Sequence, residues 1–360
     1  VSGGDEEVEL VGATLPGGWR IVGFIGEGAM ARVYEGRGAD GTAVAVKLLH
    51  RALLKQADVA FRFRREAELL EAIDSPHVPK VLGRGRDETG RFFQVLELVH
   101  GESLHEVLSD RGTVPYGQAL EIALQICAAL KAAHAAGIVH RDLKPENVVV
   151  SGLPDRPAVK LLDFSVSKDE NLSFTKTGVI LGTPSYMAPE QAHGESSPQV
   201  DVYGVGAILY DMLLGRPPHL GDVPGKVLAA LLTEAPPTPR SLAPHLSRDA
   251  EAVLLKAIAR SPRDRYASAV ELAAALEGLI ADSDRRSAVA TDPPPAPDAP
   301  VLVEPLLVGP TPEVRGTTPR PNEETSGPFE QPLARSRSWV WLVVGVAIVV
   351  ATIVILAARA

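Results

Sequence analysis

Apolar positions along the chain fall into distinct regimes. Across residues 19–98 they alternate or run in short stretches, as in "WRIVGFIGEG" and "ARVYEGRGADGTAVAVKLL", with Asp40-Gly41 between two such runs. Alternation with period two marks strands with one buried face, and Asp-Gly is a two-residue hairpin signal. One segment departs from this: "VAFRFRREAELLEAI" sets Val59, Phe63, Ala67 and Leu70 at helical spacing, which predicts an amphipathic helix. From 101 to 280 the spacing is mainly helical, and "GQALEIALQICAALKAAHAAG" predicts a long helix closed by Gly137, since glycine accepts the left-handed conformation that ends helices. A β-rich half followed by an α-rich half predicts an α+β, bilobal chain: an N-lobe over 17–98, a C-lobe over 101–280, and a cleft between them.

The pattern changes again near residue 282. Residues 281–338 hold roughly a dozen prolines and few aromatics, too little apolar surface to offset the entropy of ordering, so a disordered, extended linker is expected there. Beyond it, "WVWLVVGVAIVVATIVILAA" (339–358) carries no charge, and about twenty apolar residues span the hydrocarbon core of a bilayer. Trp339 and Trp341 suit an interface, and Arg335 and Arg337 just before them favour a cytoplasmic N-terminal side. The expectation is a single-pass protein of the inner, cytoplasmic membrane. Residues 1–16 form an acidic tail without the basic and apolar regions of a signal peptide, which keeps the folded part in the cytosol.

Composition adds little more. A net charge of −9 argues against a nucleic-acid partner, whose footprint is a basic face. The single cysteine, Cys127, excludes an internal disulfide, and its place in an apolar helical pattern reads as core.

Candidate chemistry begins at "GEGAMARVYEG". Gly26 and Gly28 follow a strand, and Ala31 stands where a third glycine would complete G-x-G-x-x-G. Such glycines let backbone N–H groups approach phosphates. A dinucleotide fold is the rival reading, but here a strand and not a helix follows, and it carries Lys47 in "VAVK". Glu66, in the next helix, is either a solvated helix charge or the partner that fixes Lys47 against ligand phosphates. In "HRDLKPENVVV" (140–150), Asp142 can accept a proton from an attacking hydroxyl, Lys144 can neutralise charge on a transferring phosphoryl, and Asn147 can bind a metal. Arg141 can pair with a phosphorylated loop. Sixteen residues after Asn147 comes Asp163 in "LLDFSVSK", and then "GTPSYMAPE", ending at Glu190.

Taken in order, Gly26-x-Gly28, Lys47, Glu66, His140-Arg141-Asp142, Asn147, Asp163-Phe164 and Ala188-Pro189-Glu190 resemble the protein kinase superfamily. Within it, the chain is similar to the membrane-tethered, bacterial, eukaryotic-like Ser/Thr protein kinases. The resemblance implies the kinase fold, ATP as substrate with two Mg²⁺ and Mn²⁺ able to stand in, and transfer to protein Ser/Thr hydroxyls. Lys144 and Thr183 match the serine/threonine branch. The resemblance puts Lys47 on the α/β-phosphates with Glu66 as its partner, makes Asp142 the base, and makes Asn147 and Asp163 the metal ligands. It sets Ile25, Gly26, Glu27, Gly28, Val33 and Ala45 around the nucleotide, Leu96 as gatekeeper, and the backbone of Glu97 and Val99 on adenine. It gives Asp201 a bracing role under the catalytic loop and pairs Arg265 with Glu190.

Two residues depart from the pattern. Ala31 adds a methyl to the phosphate loop, from which a modest loss of loop mobility is expected. Ser165 replaces the glycine after Asp163-Phe164, so its Cβ should bias how the loop switches. A second reading is therefore a pseudokinase scaffold that binds nucleotide without turnover; the retained Asp142, Asn147 and Asp163 weigh against it. Thr175 and Thr177, in the polar stretch between Asp163 and Glu190, are either plain solvent-facing threonines or activation-loop phosphosites able to pair with Arg141. A tethered kinase at high local concentration also suits a kinase-domain dimer and trans-autophosphorylation.

Overall fold

The computed structural model describes residues 10–164 and 184–291, with side chains up to residue 282. Thr175, Thr177, Thr183, Ser165, the linker beyond 291 and the apolar segment 339–358 lie outside the described residues. Among the described residues no helix is long and apolar enough to cross a membrane.

The N-terminal lobe is a six-stranded antiparallel sheet in the order β1-β2-β3-β4-β6-β5. Its strands are β1 (Thr14–Leu15), β2 (Trp19–Glu27), β3 (Ala31–Arg37), β4 (Ala43–Leu49), β5 (Val81–Arg86) and β6 (Phe92–Glu97). The alternation seen in the sequence is met literally in β4, where Val44, Val46 and Leu48 point into a core with Ile21, Tyr34, Phe93 and Val95. Gly41, at φ +83°, turns β3 into β4. The sheet begins earlier than the boundary expected at residue 17. Leu15 is 5% exposed and joins this core, so burial of one leucine draws part of the acidic tail into the fold.

Helix α1 (Ala57–Glu71) crosses the sheet. Val59 and Phe63 pack with Leu49 and Ala31 in a small second cluster. Ala31 is thereby explained: it opens β3 with ordinary backbone, its methyl is 3% exposed, and its carbonyl accepts the Gly28 N–H at 2.9 Å.

The C-terminal lobe is helical: α2 (Leu104–Arg111), α3 (Tyr116–Ala135), α4 (Pro198–Leu214), α5 (Pro224–Thr233), α6 (Pro239–Leu242), α7 (Arg248–Ala257) and α8 (Ala269–Thr291). A small sheet of β7 (Glu102–Ser103), β8 (Val148–Ser151) and β9 (Ala158–Leu161) faces the other lobe's sheet across the cleft. Every residue of α4 from Val200 to Met212 is buried, the mark of a helix at the centre of a core. Gly204 allows this helix to approach the catalytic loop, since a Cβ there would lie 2.7 Å from Leu143 Cβ. Gly137 follows α3 at φ +74°. Cys127 is 1% exposed, and burial pushes its thiol up to about 12, so it is a core residue.

Helix α8 corrects the expected linker boundary. It runs to Thr291, so residues 281–291 are helical and not extended. The stretch "ADSDRRSAVAT" contains neither glycine nor proline, and the first breaker is Pro293.

His219, buried between α4 and α5, offers a test of the packing. Burial first, then Arg260 and Arg216, hold its pKa down to about 4. The unfolded chain takes up a proton near pH 6.5 and the folded chain does not until about pH 4, so this site's share of stability is complete above 6.5 and declines as pH falls towards 4. In His219→Phe, the drop in urea midpoint between pH 7 and pH 5 should be smaller than in the wild type. An unchanged drop would show that His219 does not set it.

Candidate active site

Side chains from five segments converge on the cleft. Lys47, on β4, places Nζ 2.7 Å from Glu66 Oε1 of α1 and 3.1 Å from Asp163 Oδ1 beyond β9. Glu66 occupies the buried stripe of α1 that also holds Phe63 and Ala67, which decides between the two sequence readings of this carboxylate. Burial opposes the Lys47 ammonium, but Glu66 and Asp163 outweigh it and raise its pKa above the ordinary lysine value. Burial likewise dominates at Glu66, pushing it up against the pull of Lys47. At Asp163 the order reverses: burial pushes up, but Lys47 overcomes it and the carboxyl sits below the usual range. The Asp163 side chain stays 59% exposed, toward the cleft.

Lys47→Met would leave Glu66 buried without its cation. Removing one partner of a buried pair is strongly destabilising, here by up to about 3 kcal/mol. A carboxyl with a raised folded-state pKa gains native stability as pH falls through that value towards its unfolded pKa. The stability gap between wild type and Lys47→Met, read from urea midpoints, should therefore narrow from pH 7 to pH 5. A gap independent of pH would mean that Glu66 finds another partner.

The catalytic-loop candidates are equally interlocked. Lys144 Nζ donates to Asp142 Oδ2 at 2.8 Å, and Asn147 Nδ2 donates to the Asp142 carbonyl at 2.7 Å and to Oδ2 at 3.2 Å. Asp142 Oδ1 has no partner among the described residues and is the open acceptor of a 46% exposed side chain. The loop is held from below by Asp201, which is fully buried and accepts the His140 and Arg141 N–H groups and the His134 ring, each at 2.8 Å. Arg141 and Asp163 both have positive φ, 67° and 52°, conformations that cost a non-glycine residue about 1–2 kcal/mol. At Arg141 they are imposed by Asp201 and by Gln191, whose Nε2 donates to the Arg141 carbonyl at 2.8 Å. At Asp163 the brace is His140. Its Nε2 meets the Leu162 carbonyl at 2.8 Å, its Nδ1 faces the Asp142 N–H at 3.3 Å, and its ring lies 4.6 Å from that of the buried Phe164. One imidazole thus ties the Asp142 segment to the Asp163 segment.

Glu190 and Arg265 meet as a buried two-pronged pair at 2.6 and 2.7 Å.

Between the lobes is a cavity of about 590 Å³, within the range of small-molecule sites. Ile25, Gly28, Val33 and Ala45 roof it, and Leu96, Glu97 and Val99 line its back, with Lys47, Asp142 and Asp163 at the polar end. Gly26 and Glu27, expected around the nucleotide, do not line it. They pair with Val33 and Arg32 of β3, and the Glu27 carboxylate lies 3.2 Å from Arg32. The Glu97 N–H is taken by the Lys80 carbonyl at 2.8 Å, so only its carbonyl can serve a ligand.

Val149, Leu162 and Leu98 also line the cavity, and sequence reasoning passed over them. Val149 was findable. In β8 Val148 and Val150 are buried in the lobe, so alternation turns Val149 the other way, into the cleft.

A family model described as the protein kinase domain matches residues 19–275. The chain belongs to the protein kinase family. Serine/threonine-protein kinase pkn3 of Myxococcus xanthus is 37% identical over 288 residues, 77% of this chain and 52% of the relative. PknB of Mycobacterium leprae is 37% identical over 260 residues, 70% of this chain and 41% of the relative. The chain therefore spans about half the length, or less, of these relatives. Among solved structures, the kinase domain of Mycobacterium tuberculosis PknI aligns with a TM-score of 0.58 at 29% identity, covering 74% of this chain and 98% of that one. Members of the protein kinase family work with ATP and a divalent metal ion, and the cavity and oxygen donors described above fit that pair of ligands.

Proposed function

We propose that this protein is a serine/threonine protein kinase that moves the γ-phosphoryl group of ATP to protein Ser and Thr hydroxyls. The observation that carries this reading is the convergence of Lys47, Glu66, Asp163, Asp142, Lys144 and Asn147 at one end of a nucleotide-sized cleft. The names of the bacterial relatives support the serine/threonine assignment, as does Lys144 beside Asp142.

In this reading the adenine lies between Ala45 and Val149, contacting the Glu97 carbonyl and the Val99 backbone, and Lys47 holds the α/β-phosphates. The substrate hydroxyl oxygen attacks the γ-phosphorus in line, the bond to the ADP oxygen breaks, and the hydroxyl proton passes to Asp142 Oδ1. Lys144 offsets charge on the moving phosphoryl. Asp163 Oδ2 and Asn147 Oδ1 have no protein partner among the described residues, and oxygen donors of this type suit Mg²⁺, with Mn²⁺ as the substitute. When bound, the cation would neutralise phosphate charge. Few protein ligands are needed, because phosphate oxygens and water complete such a shell.

The same proposal includes regulation by phosphorylation at Thr175 or Thr177 and pairing with Arg141, trans-autophosphorylation in a kinase-domain dimer, and tethering to the cytoplasmic membrane by residues 339–358. Its support is the polar loop, Arg141 beside Asp142, and the uncharged apolar run in the sequence. The deciding assay is incubation with ATP and Mg²⁺ of the wild type, Lys47→Ala and Asp142→Ala. Phosphate incorporation by the wild type alone is the expected result; binding of ATP without incorporation would establish the pseudokinase instead.

A further inference from the structure

The turn from β2 to β3, formed by Gly28, Ala29 and Met30, lines the cleft. Regular pairing of the two strands stops at Glu27 opposite Arg32, and one further bond, from the Gly28 N–H to the Ala31 carbonyl at 2.9 Å, closes the turn. Two carbonyls of the turn, those of Gly28 and Met30, are both taken by one residue. His50, which follows β4, donates its backbone N–H to the Met30 carbonyl at 2.9 Å, and its ring Nε2 meets the Gly28 carbonyl at 2.7 Å. A carbonyl only accepts, so Nε2 carries the proton, and the Glu27 carboxylate, 3.6 Å from that nitrogen, favours it there. The His50 side chain is 20% exposed. By contrast, the Ala29 and Met30 N–H groups have no acceptor among the described residues.

We infer that His50 is a positioning residue for the nucleotide phosphates: by holding the Gly28 carbonyl, its ring keeps the Ala29 N–H turned the opposite way, ready for a phosphate oxygen. The inference rests on the ATP reading above. Its geometry follows from the peptide unit, which is planar and trans. The Gly28 carbonyl and the Ala29 N–H point in opposite directions, so fixing one fixes the other. Packing does not do this work, since a Cβ on Gly28 would meet only the Ala31 carbonyl, at 3.6 Å, and glycine left to itself samples many conformations. Successive N–H groups held in place before the ligand arrives form an anion site, and what is ordered beforehand need not be ordered on binding. Strand β4 therefore serves the phosphates twice, through Lys47 within it and through His50 at its end. Neither His50 bond reaches Leu96, Glu97 or Val99, so its effect is confined to the phosphate end of the cleft.

The test measures binding to the full chain by titration calorimetry, with Mg²⁺-ATP and with adenosine, in the wild type, His50→Leu and His50→Gln. His50→Leu keeps the backbone bond to Met30 and removes only the ring donor. Its affinity for ATP should fall about tenfold, the scale of one oriented hydrogen bond to a charged group. Its affinity for adenosine, which has no phosphate, should stay within about twofold of the wild type. His50→Gln offers an amide N–H to the same carbonyl and should recover most of the loss. Both ligands are measured on the same protein, so a lowered thermal midpoint in His50→Leu leaves the comparison intact. Three results overturn the proposal: equal ATP affinity in wild type and His50→Leu, a parallel loss for adenosine, which would mark a merely structural role, or no recovery in His50→Gln. A wild type that binds no ATP would overturn the ATP reading and this proposal with it, a result distinct from equal binding by wild type and variant.

Discussion

Asp142→Asn should lower kcat for phosphoryl transfer about 10²–10⁴-fold, the usual contribution of a positioned general base. The substitution is nearly isosteric. The amide oxygen it introduces would still accept from Lys144 and Asn147, so the loop geometry that Asp201 and His140 impose should survive. Only the proton acceptor is lost. Since the Asp142 side chain is 46% exposed, no buried charge is orphaned, and stability should stay within about 0.5 kcal/mol of the wild type. Removing an interaction made only in the transition state lowers kcat and leaves binding alone, so the KM for ATP should hold within about threefold. Steady-state kinetics with a peptide substrate, beside a thermal melt, separates these outcomes. A loss in kcat smaller than tenfold would mean that the hydroxyl proton leaves by another route.

How much of the molecule is legible in its sequence follows from how local each signal is. Alternation in β4 and helical spacing in α1 are set by the burial of neighbouring residues, so strands, helix and their buried faces could be read directly. The residues of the cleft could be named because their types recur at fixed spacing around Asp142 and Asp163. What the sequence left open was the state of a named candidate. Glu66 reads there as either a solvated helix charge or the partner of Lys47, and packing in the stripe of Phe63 and Ala67, not residue type, buries it 2.7 Å from the Lys47 ammonium. Lys160 and Glu97, 63 residues apart, meet at 2.7 Å, a pairing that no local pattern announces. Such contacts depend on how two lobes face each other, and no period along the chain encodes that. Ala31 reads as a defect when judged only as a missing glycine. Its neighbours in space show a methyl that fills a core position. Ends of elements were the weakest point for the same reason: β1 starts before residue 17 because Leu15 finds a core, and α8 continues past 280 because nothing in its sequence stops it.

Arg265→Ala should have the largest effect on stability, about 3–5 kcal/mol, because it leaves Glu190 charged and buried with no cation. The Arg265 side chain has no exposed surface and Glu190 is 8% exposed. Beyond the two-pronged pair, Arg265 donates to the carbonyls of Ala259, Gln199 and Arg260 at 2.6, 3.0 and 2.9 Å, and its guanidinium lies 4.9 Å from the Tyr203 ring centroid. Its removal therefore orphans three backbone acceptors along with the carboxylate. A fall in Tm of roughly 10 °C is expected for a domain of this size. Arg265→Lys keeps the charge but not the planar fork, and should recover less than half of the loss. The damage should also reach the cleft. Glu190 and Gln191 are adjacent in one 3₁₀ turn, and Gln191 holds the Arg141 carbonyl, so a loosened Glu190 releases a brace on the strained residue beside Asp142. Residual activity of Arg265→Ala at a temperature where it is still folded should thus be below the wild-type value, with kcat affected more than the KM for ATP. A melt shifted by less than about 2 °C would show that Glu190 is satisfied without Arg265, and the coupling to the catalytic loop would fall with it.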